Sequence, residues 1–267
     1  MTSTRMHNDT VALDIADGVA TITLDRPESL NSMSIGLTID LVAAFGQAQD
    51  NRDVGVIVVT GAGRGFCAGA DLAQEALADD EPSDIPALMD RYFNPMMRTI
   101  DSCSVPTVAR VNGVAGGGGF GLAMACDITI ACRSSSFIAT FGPKLGIVPD
   151  VGTTWHLSRR VGRARALSIS MLGERITAAQ AADWGLIHSV VDDDSLDDET
   201  ARVADILRHN SAEAMVRIRD AIDTAPEHSL SEHLDVEREH QRVLAPLNLG
   251  EGVRAFLAKR RPTFPGR

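Results

Sequence analysis

Residues 112–127 read Asn112-Gly113-Val114-Ala115-Gly116-Gly117-Gly118-Gly119-Phe120-Gly121-Leu122-Ala123-Met124-Ala125-Cys126-Asp127. An apolar run at 105–111 leads into the stretch, an apolar helix is expected over 122–126, and a further strand over 127–131. This is a glycine loop between a buried strand and a helix. The start of a helix presents unpaired N–H groups and a partial positive charge. Glycines let that backbone approach a ligand closely, because no Cβ intervenes. Gly116, Gly118 and Gly121 also fit the spacing of a dinucleotide fingerprint. That motif, however, wants an acidic residue about 20 positions further on, and no Asp or Glu occurs between Asp127 and Asp150. Neither glycine run of the chain ends in Gly-Lys-Ser/Thr, so a phosphate loop is not indicated.

The same pattern stands upstream. Residues 54–60 form a continuous β-branched run, read as a buried strand, and enter Gly61-Ala62-Gly63-Arg64-Gly65-Phe66-Cys67-Ala68-Gly69-Ala70-Asp71. Two such loops can aim two N–H groups at one oxygen, which is an oxyanion hole. Around them, residues 11–15 and 19–24 alternate about Asp17-Gly18 and predict a hairpin. Residues 34–48 predict a helix with Ile35, Ile39, Val42 and Phe45 as its apolar stripe. Residues 72–85 read as an acidic loop and 86–100 as a helix. Beyond Pro149-Asp150-Val151-Gly152 the pattern is helical to about Leu172, and a short helix follows from Thr177 to Trp184. From Glu199 onward the chain reads as helices, with Val203, Ile206, Leu207, Val216, Ile218 and Ile222 in apolar stripes. The resulting division is a core over 1–200 and a helical region over 201–267.

The composition excludes several classes. The 267 residues carry a formal net charge of -11 with 4% aromatic residues, which argues against nucleic acid binding. No apolar run approaches the roughly 20 residues of a membrane span. The polar start, residues 1–10, lacks the apolar core of a signal peptide, so a cytoplasmic protein is expected. The four cysteines, Cys67, Cys103, Cys126 and Cys132, form no Cys-x-x-Cys pair and are expected as buried small hydrophobes. The seven histidines form no metal-binding helical pair, and no metal site is expected.

These motifs carry a family resemblance. Residues 66–72 and 112–127 resemble the two signatures of the crotonase (enoyl-CoA hydratase/isomerase) superfamily. Arg26-Pro27-Glu28-Ser29-Leu30-Asn31-Ser32-Met33 is similar to its CoA-contacting turn, and residues 146–154 to its third motif. Residues 172–178 and 182–187 are similar to its later helices. The resemblance implies an α/β spiral of repeated ββα units with a C-terminal helical region that builds homotrimers, often paired into hexamers. It places the oxyanion amides on Ala70 and Gly118. It places Glu28, Ala68, Asp71 and Leu72 along the CoA path. Phe256, Lys259 and Arg260 resemble residues that reach the CoA of a neighbouring subunit, whereas composition alone reads Lys259, Arg260 and Arg261 as a solvated basic end. The implied partner is an acyl-CoA thioester, and no cofactor is implied beyond the CoA that the substrate carries.

The carboxylates then choose the chemistry. The family's hydratases share the work between two glutamates. Here Gly121 stands at the first position, and no acid lies between 128 and 149 to supply the second. Asp150 is the remaining candidate, at a position where family isomerases carry an acid; its plain alternative is a helix N-cap. One carboxylate can take a proton from one carbon and return it to another. The expectation is an acyl-CoA isomerase that shifts a double bond or opens a ring epoxide. The alternatives are an enoyl-CoA hydratase of fatty acid β-oxidation and a non-catalytic acyl-CoA-binding protein. Asp71 and Asp127 are read as structural, and Glu174 as a surface or capping residue.

Overall fold

The computed structural model describes residues 4–71 and 84–264. One sheet runs in the order β1-β2-β3-β4-β6-β8-β11, and a smaller one in the order β10-β9-β7-β5. The strands are β1 (Thr4–Arg5), β2 (Val11–Ala16), β3 (Val19–Leu24), β4 (Val56–Gly61), β5 (Gly65–Cys67), β6 (Thr107–Val111), β7 (Val114–Gly116), β8 (Ile128–Cys132), β9 (Ser136–Ile138), β10 (Ile176–Thr177) and β11 (Ser189–Val191). β2 and β3 form the expected antiparallel hairpin, and β3, β4, β6, β8 and β11 are parallel neighbours.

The connectivity repeats. β4, β6 and β8 lie in the large sheet; β5, β7 and β9 follow them in the small one, where β5, β7 and β9 pair in parallel. A helix comes after each pair, which gives the expected ββα units. Both glycine loops therefore contain a short strand, which the sequence concealed because a three-residue strand with glycine has no period to detect.

Packing explains the β-branched runs. Ile57 and Val59 of β4 enter one core with Ile22, Leu24, Phe45, Phe66 and Phe120. Val56 and Val58, on the opposite face, enter a second core with Val108, Ile130, Val203 and Leu207. A strand covered on both faces reads as continuously apolar. The second core is closed by the Leu196–Arg208 helix, which straddles residue 200.

Three details differ from the sequence reading. The Ile35–Asp50 helix, capped by the Ser34 hydroxyl accepting from the Leu37 N–H, buries Leu37, Leu41, Ala44, Phe45 and Ala48. Ile35 and Ile39 are exposed; the stripe is set about two residues later, where small and large apolar residues fit the sheet. Ile206, Ile218 and Ile222 are likewise exposed, at 48%, 50% and 67%. The Thr153–Leu172 helix is broken at Gly162, whose φ is 71° and ψ 167°. The four cysteines are buried, as expected, and none is in a disulfide. Among the described residues no helix is long and apolar enough to cross a membrane.

One side chain ties the late helices to the core. Arg219, on the Ala212–Thr224 helix, forms a two-pronged ion pair with Asp127 and donates to the carbonyls of Cys103 and Val105. Asp127 also accepts from the N–H and hydroxyl of Thr107. Its expected structural role holds. Replacing Arg219 with Met strands the half-buried carboxylate and two carbonyls, and is expected to cost about 2–3 kcal/mol. Chemical denaturation checks this; a loss below about 0.5 kcal/mol, typical of an exposed pair, would show the network to be incidental.

Candidate active site

The two glycine loops meet. Gly69 has φ +99°, and a Cβ there would stand 2.8 Å from the Gly116 carbonyl oxygen and 3.1 Å from the Gly118 nitrogen. Only glycine allows this approach. Met33 fixes the first loop: its N–H donates to the Gly69 carbonyl at 2.7 Å and its carbonyl accepts from the Asp71 N–H at 3.1 Å. This bridge between Met33 and Ala70 uses the amides on either side of Ala70. The Ala70 N–H itself has no partner among the described residues. Gly118 opens the Gly118–Ala125 helix, with Gly117 as its cap, so its N–H is one of the donors a helix start leaves unsatisfied. The Met33 thioether underlies it, 3.6 Å from a Cβ built on Gly118. The sequence reading expected this helix at 122–126; it begins four residues earlier, inside the glycine run, which makes Gly118 a helix-start amide.

The first loop is also braced from outside. Asn31, fully buried, accepts from the Arg26 N–H and donates to the carbonyls of Ala62 and Gly65. Asp71 pairs with the Arg26 guanidinium at 2.8 Å, and Arg26 also donates to the Ser32 carbonyl. The structural role read for Asp71 is thus carried by a salt bridge.

The far end of the Gly118 helix is held by Arg160. Its guanidinium donates to the carbonyls of Met124, Cys126 and Leu186. These include orphan carbonyls of the helix terminus, where a cation is favourable.

Asp150 stands in a turn packed on that same helix. The Thr153 N–H donates to the Asp150 carbonyl at 2.9 Å, and the two residues between, Val151 and Gly152, have φ of +49° and +68°. Gly152, not Asp150, caps the following helix, and no side chain caps it; the N-cap reading of Asp150 fails. Val151 is buried, its Cγ2 3.1 Å from a Cβ built on Gly118, and its carbonyl faces Gly121 so closely that a Cβ there would overlap it. A β-branched residue at positive φ is a strained conformation, costing about 1–3 kcal/mol.

Electrostatics separate the groups. Burial pushes the Asp150 carboxyl up to about 6, with only its own backbone N–H opposing. Among the described residues it has no ion pair. His156, whose ring lies against Gly152, is pushed down to about 4 by burial and then by Arg160 and Arg159, so it stays neutral. Burial raises the Cys67 thiol to about 12, which removes it as a nucleophile.

The structure thus brings the Ala70 and Gly118 loops together and packs Val151, the residue after Asp150, on the Gly118 helix. Ala68 lies exposed beside them, and its carbonyl oxygen faces Gly116. Glu28, on the Pro27–Ser29 turn, is exposed. Lys259 is exposed after the Gly250–Leu257 helix. Arg260 is paired with Glu251, and Arg261 with Asp205. Leu72 and the loop reading over 72–83 lie outside the described residues. Glu174 is exposed, as expected. An apolar cavity of about 520 Å³ adjoins the site, lined by Gly142, Ile147, Pro149, Thr154, Leu167 and Met171 among others; it reaches Pro149 but neither oxyanion amide. Sequence reasoning missed Met33 and Val151; neither has a signal in composition, because a backbone bridge and a φ angle decide them.

Comparison with known proteins adds three findings. The family model described as enoyl-CoA hydratase/isomerase matches residues 14–267. The chain is 40% identical to a 1,2-epoxyphenylacetyl-CoA isomerase of Escherichia coli, over 95% of this chain and 97% of that one. It is 38% identical to a protein of Rhodobacter capsulatus described as a "probable enoyl-CoA hydratase", over 98% and 100%. The crystal structure of an enoyl-CoA hydratase from Bacillus anthracis superposes with a TM-score of 0.89 at 31% identity, covering 97% of this chain and 100% of that one.

Proposed function

The chain belongs to the enoyl-CoA hydratase/isomerase family and has its crotonase fold, and from that premise we propose that it is an acyl-CoA isomerase with Asp150 as its proton carrier. The observation that carries this reading is a carboxylate raised to about 6 by burial, on a turn packed against the helix that Gly118 opens, with the Ala70 N–H of the facing loop unpaired among the described residues. A base works best with a pKa near the working pH. The substrate thioester carbonyl lies on the Ala70 and Gly118 amides. Asp150 removes a proton from C2, the two amides hold the enolate oxygen, and the same carboxyl returns the proton at C4. Each amide contributes about 3 kcal/mol to holding that charge, judged by the loss when one such donor is deleted elsewhere. Gly121, at the position of the hydratases' first glutamate, offers no side chain to activate water.

The likeness to an epoxyphenylacetyl-CoA isomerase supports a second version, in which the rearranged group is a ring epoxide on an aromatic CoA ester. Incubation with 3-hexenoyl-CoA, following the absorbance of the conjugated 2-enoyl thioester, tests the first; 1,2-epoxyphenylacetyl-CoA tests the second. Isomerisation of either substrate with little hydration of crotonyl-CoA is expected. Crotonyl-CoA hydrated faster than both would make the protein a hydratase, and tight ester binding without turnover would make it a binding protein.

The assembly proposed is a homotrimer, or two trimers paired. Leu230, Phe256 and Leu257 of the last helices are 77%, 82% and 76% exposed, a large apolar surface for a single chain. Lys259, just past this surface, would meet the CoA of a neighbouring copy.

A further inference from the structure

We infer that Val151 is a positioning residue, a wedge that fixes the Asp150 carboxylate against the helix bearing the Gly118 amide; the inference rests on the isomerase reading above. Among the described residues the non-glycine positions with positive φ are Asp9, Asp17, Leu30, Asn31, Val151 and Lys259, and of these Val151 is the β-branched one. The backbone there asks for glycine, or for Asn or Asp, which tolerate this region. Valine is the costly choice, so its side chain must be what the site uses.

The contacts say how. The Val151 side chain is buried, with Cγ2 against Gly118, while its carbonyl lies on Gly121, three residues along the same helix. One residue thus touches two successive points of the helix that presents the oxyanion amide. On its other side the turn is closed by the Thr153 N–H on the Asp150 carbonyl, and Gly152 is backed by His156 and Met97. The carboxylate-bearing residue is therefore fastened on its C-terminal side to the helix that holds the enolate oxygen. Distances between base and oxyanion donors are set by one side chain, not by a loop. Among the described residues, the helices packed on the turn carry as ionisable groups His156, Arg159, Arg160, Arg163 and Arg165 on the Thr153–Leu172 helix and Arg98 and Asp101 on the Asn94–Asp101 helix, none of them a charge partner of Asp150; the Gly118–Ala125 helix contributes none.

Val151→Gly and Val151→Ala test the wedge. Four quantities are read: melting temperature, kcat and KM toward the substrate isomerised by the wild type, the acidic limb of kcat, and the NMR titration of the Asp150 carboxyl carbon, assigned by its absence in Asp150→Asn. Val151→Gly relieves the backbone strain and is expected to melt no lower than the wild type. It is expected to lose roughly tenfold to a hundredfold in kcat, the scale of a small misplacement. KM stays within about twofold, because CoA contacts are untouched. The carboxyl midpoint falls from about 6 toward the ordinary aspartate value near ~4 as water reaches it. Val151→Ala moves the same way by less. An enzyme with unchanged kcat and unchanged carboxyl midpoint overturns the inference. So does a kcat loss that accompanies a lower melting temperature with the midpoint unmoved, since that is a packing defect alone. A wild type that isomerises no CoA ester counts against the functional reading; the carboxyl titration needs no turnover and still decides the wedge.

Discussion

Asp150→Asn is expected to lower kcat for isomerisation by about 10²–10⁴-fold, the range for loss of a positioned general base, with the melting temperature at pH 8 equal to or above that of the wild type. The two halves of the result have one cause. The Asp150 carboxyl is desolvated and, among the described residues, unpaired, and its folded-state value of about 6 lies above the ordinary value near ~4. Between those values the folded protein binds the proton more tightly than the unfolded chain. Stability therefore falls as pH rises from about 4 to about 6, and at higher pH the ionised carboxylate is a standing cost. Asparagine keeps the shape and removes the charge. Activity runs the other way: the base must be ionised, so wild-type kcat rises with pH through about 6 and then levels. Rate–pH profiles and thermal melts on the same two proteins check both. Turnover retained in Asp150→Asn would remove the residue from the chemistry whatever the stability did.

The sequence carried the frame of this site but not its joints. The β-branched run entering β4 and the glycines after it were legible because burial on both faces and close backbone approach each demand particular residue types. Asp150 became a candidate through the family resemblance, together with the lack of an acid over 128–149. Its desolvation was not, because that depends on which chain segments cover it. The start of the helix at Gly118 was hidden for the opposite reason: glycine is a poor helix former, so local preference pointed to a later start, and packing overrode it. On the first helix, Ile35 and Ile39 looked like core by period, yet Leu37 and Leu41 face the sheet. Two apolar stripes on one helix cannot be ranked without knowing where the sheet lies. The exposed Ile35 and Ile39 repeat the lesson of Phe256 and Leu257, in that apolar residues mark surfaces that bury something without naming what.

Gly121→Glu, which restores the first glutamate of the hydratases, is expected to yield no hydratase. A Cβ at 121 overlaps the Val151 carbonyl oxygen and lies 2.8 Å from Thr153 Oγ1. The first obstacle is backbone, which cannot rotate away as a side chain can. The turn must move, and Asp150 moves with it. The variant is expected to lose about 2–3 kcal/mol or more in stability, the cost of forcing extra atoms into a close-packed site. Isomerisation falls at least about tenfold, because the base is displaced from its working geometry. Gly121→Ala, with one carbon added and no charge, separates the causes. If sterics decide, it shows most of both losses; if the new carboxylate's repulsion of Asp150 decides, alanine is mild. Crotonyl-CoA hydration gained by Gly121→Glu with the fold intact would refute the steric argument and make the missing glutamate a simple deletion. The physical claim is stronger than absence. At Gly121 the room a side chain would need is filled by the turn that follows Asp150, so on the isomerase reading the packing of Val151 on Gly121 itself bars a glutamate from this position.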